Sequence, residues 1–280
     1  MADIQKLEQI ASQVRRDIVR QVADATCGHP GGSLGCTDLL VALYFEIMEH
    51  NTDFKMDGHN EDMFYLSNGH LSPMWYSVLA RSGYFPVAEL STFRQLGSRL
   101  QGHPATHEGL PGIRTASGSL GQGLSVSIGV ALAKKLNKDN KTVYCLMGDG
   151  EQQEGQVWEA VMFAAHHKVD NLIAIIDRNN QQIDGSLDDV MNLGDLAQKY
   201  AAFGWKTLKM DGNDMSDVIN TLAEAQDLCG KGYPICIDMK TEMGKGVDYM
   251  EGTHKWHGKA PDAPLLARAL NQLQETLGDY

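Results

Sequence analysis

The sequence predicts an α/β protein with a doubly wound, mostly parallel sheet flanked by helices. Residues 142–147 and 171–176 are short apolar runs rich in Val and Ile, which is typical of buried strands. A helix-length segment separates the two runs, so we expect them to be neighbouring parallel strands of a βαβ unit. Further strand-like runs alternate with helical patterns along the chain, an order that places helices against such a sheet.

The other elements follow in order. Apolar residues at three- and four-residue spacing predict a first helix over residues 3–24. Residues 26–32 are rich in Gly and Pro and are expected to form a loop, before a helix that starts at Thr37 or Asp38 and includes Ile47. Strands are predicted at 62–67, 142–147, 171–176, 205–210 and 233–240, and helices at 73–81, 90–96, 124–136, 157–167, 193–203, 215–228 and 264–277. Without repeats or linkers, residues 1–280 are predicted to be a single domain with a peripheral C-terminal helix at about 264–277.

Composition and charge exclude several classes of function. The 280 residues carry a net charge of −12, with 42% hydrophobic and 21% charged residues, and no Lys/Arg-rich run occurs. We therefore expect no nucleic-acid partner and no membrane. The N-terminus is not a signal peptide, and no apolar run approaches membrane-spanning length. An odd set of scattered cysteines without a CxxC pair predicts reduced thiols and a cytoplasmic location; these are Cys27, Cys36, Cys145, Cys229 and Cys236.

Two polar residues follow the central predicted strands. Asp149 comes just after the 142–147 strand within Gly148-Asp149-Gly150, and Asn179 follows the 171–176 strand. Ligands bind outside the carboxyl ends of parallel strands, so both side chains should project into one crevice. A carboxylate and an amide oxygen are ligands for Mg²⁺ or Ca²⁺, and the two glycines allow backbone to approach a phosphate. The alternative for the Gly-Asp-Gly sequence is a tight turn without chemistry.

Three loops each place a histidine beside glycine, at His29, His70 and His103. Imidazole titrates near neutral pH, which suits proton transfer, although each histidine could instead be incidental to a turn. Residues 118–123 form a glycine-rich stretch in the order GxxGxG, which is not the dinucleotide fingerprint, and no GxxxxGK[ST] loop occurs. An ordinary NAD enzyme or P-loop NTPase is therefore disfavoured. His254 and His257 have no third nitrogen or sulfur ligand nearby in sequence, so zinc is disfavoured as well.

Taken together, these short motifs resemble the N-terminal, diphosphate-binding part of thiamine-diphosphate enzymes of the transketolase family. The resemblance extends over about residues 10–260 and implies the thiamine-diphosphate-binding fold. It rests on Gly28-His29-Pro30-Gly31, Leu66-Ser67-Asn68-Gly69-His70, Phe93-Arg94-Gln95-Leu96-Gly97-Ser98, Gly102-His103-Pro104, Leu120-Gly121-Gln122-Gly123, Gly148-Asp149-Gly150, Gln153-Glu154-Gly155, Asn179, Ile183-Asp184-Gly185 and His257-Gly258.

The resemblance implies thiamine diphosphate and Mg²⁺ as cofactors, with Ca²⁺ as a possible substitute for Mg²⁺. It implies that the metal ligands are Asp149, Asn179 and the backbone carbonyl of Gln181. Diphosphate contacts are implied for Gly150, His70 and His257, and positions around the thiamine rings for Gly118, Ser119, Leu120 and Ile183. The implied catalytic histidines, which bind donor hydroxyls and move protons, are His29, His103 and His257. Glu154 matches an acidic residue buried near the cofactor and the subunit contact.

Two departures from the family pattern stand out. Ser119 occupies a position where longer members commonly have proline. The chain also stops before the family's pyrimidine-binding domain, whose glutamate activates the aminopyrimidine. The resemblance therefore implies the N-terminal subunit of a split transketolase, active only with a separately encoded C-terminal subunit in a heterotetramer with two copies of each chain.

The implied reaction is transfer of a two-carbon ketol unit from a ketose, such as a ketose phosphate, to an aldose. A 1-deoxyxylulose-5-phosphate-synthase-like subunit and an inactive cofactor-binding orphan fragment remain as alternatives. Pentose phosphates are the default sugars of the family, and sulfonated or branched sugars stay open, since the groups that select them are expected on the absent subunit.

Overall fold

The computed structural model describes residues 2–280, and its centre is a five-stranded parallel sheet. The strands lie in the order β1-β2-β3-β7-β6, with β1 (Met63–Leu66), β2 (Val143–Gly148), β3 (Leu172–Arg178), β6 (Lys206–Asp211) and β7 (Ile235–Lys240). The two strands predicted as neighbours do pair, with Val143 opposite Leu172 and Gly148 opposite Asp177. Their carboxyl ends therefore meet at one edge. A short antiparallel hairpin follows β3, made of β4 (Gln181–Gln182) and β5 (Gly185–Ser186).

Helices cover both faces of the sheet, which confirms the doubly wound α/β prediction. They are α1 (Ile4–Asp24), α2 (Pro30–Gly35), α3 (Thr37–Ala42), α4 (Ser72–Arg81), α5 (Gly123–Leu136), α6 (Gly155–His166), α7 (Leu187–Val190), α8 (Leu196–Ala202), α9 (Met215–Leu228) and α10 (Ala263–Gln272). No helix within residues 2–280 is both long and apolar enough to cross a membrane.

Strand residues alternate between two cores. On β2, Tyr144 and Leu146 join the larger core, which contains α1, α3, α4 and α9, whereas Val143, Cys145 and Met147 join the smaller core with α5, α6 and α8. All five of these side chains are fully buried. A strand buried on both faces forms a continuous apolar run in the sequence, which explains why β2 and β3 were recognisable there.

Two local predictions differ from the structure. Residues 26–32 are not all loop, because Pro30 is the first residue of α2, where a fixed φ and a missing N–H are tolerated. Residues 90–96 are not helical throughout: a 3-10 turn over Val87–Thr92 ends before Arg94, whose φ is +59°. A left-handed residue cannot continue a right-handed helix, so the chain turns at Arg94 toward the loop that carries His103.

The C-terminal helix ends earlier than predicted. It spans Ala263–Gln272 rather than about 264–277, because Leu273 adopts an extended conformation. The chain then runs back along α1, where the backbone N–H groups of Thr276 and Leu277 both donate to Oε1 of Gln13 at 3.0 Å. Side-chain and backbone bonds to α1 thus replace the last helical turns.

Candidate active site

A cavity of ≈ 390 Å³ opens where the parallel strands end. The segments that follow β1, β2, β3 and β7 all reach it, as expected for a ligand site at the carboxyl edge of an open α/β sheet. Its walls are formed by His29, Gly32, Asn68, His70, His103, Gly118, Leu120, Gly148, Asp149, Gly150, Glu151, Gln153, Glu154, Asp177, Asn179, Gln181, Gln182, Ile183, Met243 and His257. Residues from four separate histidine-bearing loops and both central strands therefore share one volume.

Four imidazoles form one wall of the cavity. His29 directly precedes α2, His70 lies in a 3-10 turn after β1, and His257 follows a 3-10 turn over His254–Trp256. The ring centroid of His29 is 5.1 Å from that of His70, 5.6 Å from that of His257 and 6.2 Å from that of His103. The three loops singled out in the sequence therefore do converge, and His257 joins them.

The histidines are held in the neutral form. Burial, together with the charges of His257, His103 and Arg94, lowers the pKa of His29 to about 4. Burial also lowers the pKa of His70 well below its usual range, and lowers the pKa of both His103 and His257. Neutral imidazoles both donate and accept hydrogen bonds, so this wall suits contacts with hydroxyl groups.

Arg94 lies behind this histidine wall. Its guanidinium Nη1 is 3.6 Å from Sγ of Cys27, and its cationic carbon lies 5.7 Å from the ring centre of Phe93. The guanidinium packs against the backbone of Gly102, where a Cβ atom would overlap Cζ of Arg94. A side chain at position 102 would therefore require the Arg94 guanidinium to move. The Arg94 charge contributes to the lowered pKa of both His29 and His103.

Oxygen atoms from the two central strands form the opposite wall. Asp149 is 2% exposed, and its carboxylate accepts hydrogen bonds from the N–H of Gly150 at 2.7 Å and of Asn180 at 2.7 Å. Oδ1 of Asn179 accepts from the N–H of Gln181 at 2.9 Å. The Asp149 and Asn179 side chains are thus adjacent in the cavity, and Gln181 lines it beside them.

No Lys or Arg among the described residues that line the cavity offsets the carboxylates of this wall. Burial raises the pKa of Asp149 to about 7, and the neighbouring carboxylate of Asp177 contributes to the rise, against the opposing effect of the backbone donors. The buried carboxylate of Asp149 and the amide oxygen of Asn179 are ligands that fit a hard divalent cation, which would favour the charged form of Asp149.

Glu151 is a buried residue of the site that sequence reasoning missed. Its carboxylate accepts from the N–H of Gly121 at 2.7 Å and of Gly148 at 3.0 Å, and from the hydroxyl of Ser67. It therefore ties the glycine-rich loop to the ends of β1 and β2. No local signal marks this role, because Glu151 sits in an ordinary polar run and its partners lie mostly in other segments.

The remaining predicted residues are placed as follows. Gly118, Leu120 and Ile183 line the cavity, with Ile183 67% exposed at the tip of the β4–β5 hairpin. Ser119 is exposed and does not line it. Glu154 lines the cavity and is exposed on this single chain, and its burial at a subunit contact stays a prediction. The roles assigned to all these residues stay predictions.

Three buried polar atoms, each on a residue that lines the cavity, have no hydrogen-bond partner within residues 2–280. They are Oδ1 of Asn68, Nδ1 of His29 and Nδ1 of His257. Unpaired buried polar atoms are costly, so their occurrence around one cavity favours a polar ligand that satisfies them. With the oxygen wall, this set fits a diphosphate-bearing cofactor held through a divalent cation. The fold and site thus define an α/β domain of the thiamine-diphosphate-binding class.

Comparison with known proteins agrees with this class. Residues 6–279 match the family described as "Transketolase, thiamine diphosphate binding domain". The chain is 40% identical over 274 residues to a subunit of the apulose-4-phosphate transketolase of Phocaeicola vulgatus, covering 98% of this chain and 96% of that protein. It is 36% identical over 274 residues to "6-deoxy-6-sulfo-D-fructose transketolase subunit SqwG" of Clostridium sp. (strain MSTE9), covering 96% of each.

Solved structures give the same result. Transketolase from Leishmania mexicana superposes with a TM-score of 0.89 at 30% identity, covering 99% of this chain and 42% of that one. The chain therefore belongs to the transketolase family of transferases, as the sequence motifs indicated, and it is the N-terminal, thiamine-diphosphate-binding part. It spans less than half the length of such longer transketolases and nearly the whole length of the two relatives that are named as transketolase subunits.

Proposed function

We propose that this chain is the N-terminal subunit of a split transketolase, which requires thiamine diphosphate, Mg²⁺ and a separate C-terminal subunit for activity. The proposal rests chiefly on one observation. The cavity combines an oxygen wall for a cation with four neutral histidines, in a chain that matches 96% of the length of a protein named as a transketolase subunit. The reaction is transfer of a two-carbon ketol unit from a ketose donor to an aldose acceptor.

Each wall of the cavity has its own part in this reaction. Asp149, Asn179 and the carbonyl of Gln181 would hold Mg²⁺, which shares its shell with a diphosphate. Thiamine diphosphate, when bound, supplies the electron sink for breaking and forming a carbon–carbon bond next to a carbonyl. His29 and His103 bind sugar hydroxyl groups and exchange protons with them, because neutral imidazole both donates and accepts.

The sugar's anionic group is recognised elsewhere. Because none of the described residues that line the cavity is Lys or Arg, a phosphate or sulfonate at the far end of a sugar finds no counter-ion in that lining. We infer that the C-terminal subunit provides it. The names of two relatives, which include apulose 4-phosphate and 6-deoxy-6-sulfo-D-fructose, make these sugars candidates beside pentose phosphates.

We infer a heterotetramer with two copies of each subunit. Exposed apolar side chains beside the groove between α5 and α6, among them Met162 and Phe163, provide a surface for a second copy of this chain. Native mass spectrometry of the reconstituted enzyme measures the stoichiometry. The five free thiols are consistent with a cytoplasmic location.

Reconstitution tests the proposal. The chain is co-expressed with a candidate C-terminal transketolase subunit from the same genome, and ketose donors are screened against aldose acceptors with thiamine diphosphate and Mg²⁺. Ketol transfer is expected from the pair and no turnover from this chain alone. Turnover by the lone chain, or pyruvate consumption without ketol transfer by the pair, would contradict the proposal.

Two variants test the roles of the oxygen wall and the histidine wall separately. Asp149→Ala should abolish metal-dependent cofactor binding, because it removes the carboxylate ligand, and unchanged cofactor titration would rule out that assignment.

His103→Ala should lower kcat by about a hundredfold while changing cofactor affinity little, since His103 belongs to the histidine wall that exchanges protons with the sugar. The reverse pattern would place His103 on the diphosphate.

A further inference from the structure

Asp177 is a buried acidic residue of the cavity to which the proposed reaction gives no part. It lies near the end of β3, in the middle of the sheet, opposite Gly148 on β2 and Met239 on β7. It is 2% exposed. Burying a carboxylate is costly unless hydrogen-bond donors surround it, so we expect Asp177 to have a specific role at the oxygen wall.

Each oxygen of the Asp177 carboxylate accepts a hydrogen bond from a side chain. Its Oδ1 accepts from the hydroxyl of Thr241, the thiol of Cys36 also donates to its carboxylate, and Oδ2 accepts from Nδ2 of Asn179 at 2.8 Å. Thr241 and Cys36 are themselves buried. The carboxylate is therefore held at Oδ1 by Thr241 and presents Oδ2 to Asn179.

This contact fixes the orientation of the Asn179 amide. Nδ2 faces the Asp177 carboxylate, and Oδ1 accepts from the N–H of Gln181 at 2.9 Å. If the amide turned over, its oxygen would face a carboxylate oxygen and its NH₂ group would face an N–H donor. Both contacts would be repulsive, so the observed orientation is the favoured one. It leaves the amide oxygen on the side of the oxygen wall.

We propose that Asp177 is a positioning residue that locks the Asn179 amide with Oδ1 toward the divalent cation, without ligating the cation itself. The inference rests on the cation site of the proposed function and adds a second layer to it. Groups that orient a metal ligand commonly change metal affinity by about 10–100-fold when they are lost. Metal affinity is therefore the quantity to measure, independently of turnover.

Exchanging the two residues provides the test. Mn²⁺ binding is titrated by electron paramagnetic resonance on the full chain with thiamine diphosphate present. Asn179→Asp introduces a carboxylate at the ligand position, yet it should weaken Mn²⁺ binding by about tenfold or more, since two carboxylate oxygens would then face each other. The double variant Asp177→Asn with Asn179→Asp restores one donor and one acceptor, so its affinity should return to within about threefold of native.

Controls distinguish an effect on the orientation of Asn179 from a general effect of charge and from loss of folding. Asp184→Asn removes a similar negative charge from the exposed hairpin turn without touching Asn179, and should leave Mn²⁺ affinity unchanged. Circular dichroism and the unfolding midpoint in metal-free buffer report whether each variant folds. Should the double variant fail to fold, Thr241→Val decides the question, because losing the hydroxyl that holds Asp177 should lower Mn²⁺ affinity several-fold.

Two results would overturn the inference. One is a folded Asn179→Asp variant that binds Mn²⁺ as tightly as the native chain. The other is a folded double variant that stays as weak as Asn179→Asp; if the double variant does not fold, a Thr241→Val variant with native Mn²⁺ affinity takes its place. Absence of Mn²⁺ binding by the native chain, with Asp149→Ala indistinguishable from it, would instead overturn the cation site itself and the inference with it.

Discussion

At the scale of single residues, the site depends on keeping ionisable groups in an unusual state. His29 sits between three other imidazoles and near Arg94, and its pKa is lowered to about 4 chiefly by burial. A free histidine has a pKa near 6.5, so His29 is neutral in the folded chain where it would be partly charged in the unfolded one. The histidine wall is therefore able to accept and donate hydrogen bonds at neutral pH without first losing a proton.

This shift predicts how folding stability depends on pH. Below about pH 6.5 the unfolded chain binds more protons at His29 than the folded chain, so stability falls as pH drops from 6.5 toward 4. Asp149 acts in the opposite direction because its pKa is raised, so the comparison must be made between variants. Between about pH 7 and pH 5, the free energy of unfolding should decrease by about 1 kcal/mol less in His29→Gln than in the native chain. This figure allows for the partial exposure of His29.

Urea denaturation at the two pH values measures this difference. A control His107→Gln variant removes an exposed histidine outside the cavity and should follow the native pH dependence. If His29→Gln loses as much stability as the native chain, the lowered pKa of His29 is wrong.

At the scale of secondary-structure elements, one carboxylate joins three loops. Glu151 accepts two backbone N–H groups and the Ser67 hydroxyl, and it lies in the 3-10 turn over Gly150–Gln153 between β2 and α6. Directly beside these contacts, a Cβ atom on Gly123 would overlap Oγ of Ser67. The start of α5 can therefore pack against the end of β1 only with glycine at that position.

Glu151→Gln should destabilise the chain by about 1–3 kcal/mol. The amide has one acceptor oxygen in place of two, so at least one buried N–H, of Gly121 or Gly148, loses its partner. Denaturant unfolding measures the change. Glu154→Gln is the matched control, three positions on and exposed, and should change stability by less than about 0.5 kcal/mol. Equal effects of the two substitutions would mean that the hydrogen bonds of Glu151 carry no net stability.

The same elements explain which features were predictable from sequence and which were not. The strands and the histidine loops were predictable because continuous apolar runs and Gly–Pro clusters are local signals. Glu151 and Asp177 were not, because each also depends on a remote partner: Ser67 is 84 positions from Glu151, and Thr241 is 64 positions from Asp177. Only the folded sheet brings them together. The two wrong local predictions have local causes. Pro30 begins a helix within a segment whose composition indicated a loop, and the left-handed backbone of Arg94 ends the helical turn that the pattern extended to residue 96.

At the scale of the whole molecule, the C-terminal segment fastens α10 onto α1. Nη1 of Arg16 donates to the carbonyls of Leu270 and Leu273 at 2.8 and 2.7 Å, and so occupies carbonyls left open where α10 ends. The same guanidinium forms an ion pair with Asp279 at 2.7 Å, and Arg20 contacts Asp279 at 3.0 Å. Helix α1 is thereby connected to both the larger core and the outer C-terminal layer.

Asp279 is the carboxylate that binds both Arg16 and Arg20 of α1. The hydrogen bond from Arg16 lowers the pKa of Asp279 to about 2, so the ion pair contributes stability above pH 3.8 and is lost as pH falls through 2. Asp279→Ala should destabilise the chain by about 1–2 kcal/mol at neutral pH, because two arginines lose their shared partner. Glu275→Ala is the control: its side chain is 54% exposed and 3.6 Å from Arg16, and it should cost less than about 0.5 kcal/mol. Thermal unfolding at neutral pH ranks the two variants, and an Asp279→Ala chain as stable as Glu275→Ala would mean that packing of Leu270 and Leu273 alone holds α10 in place.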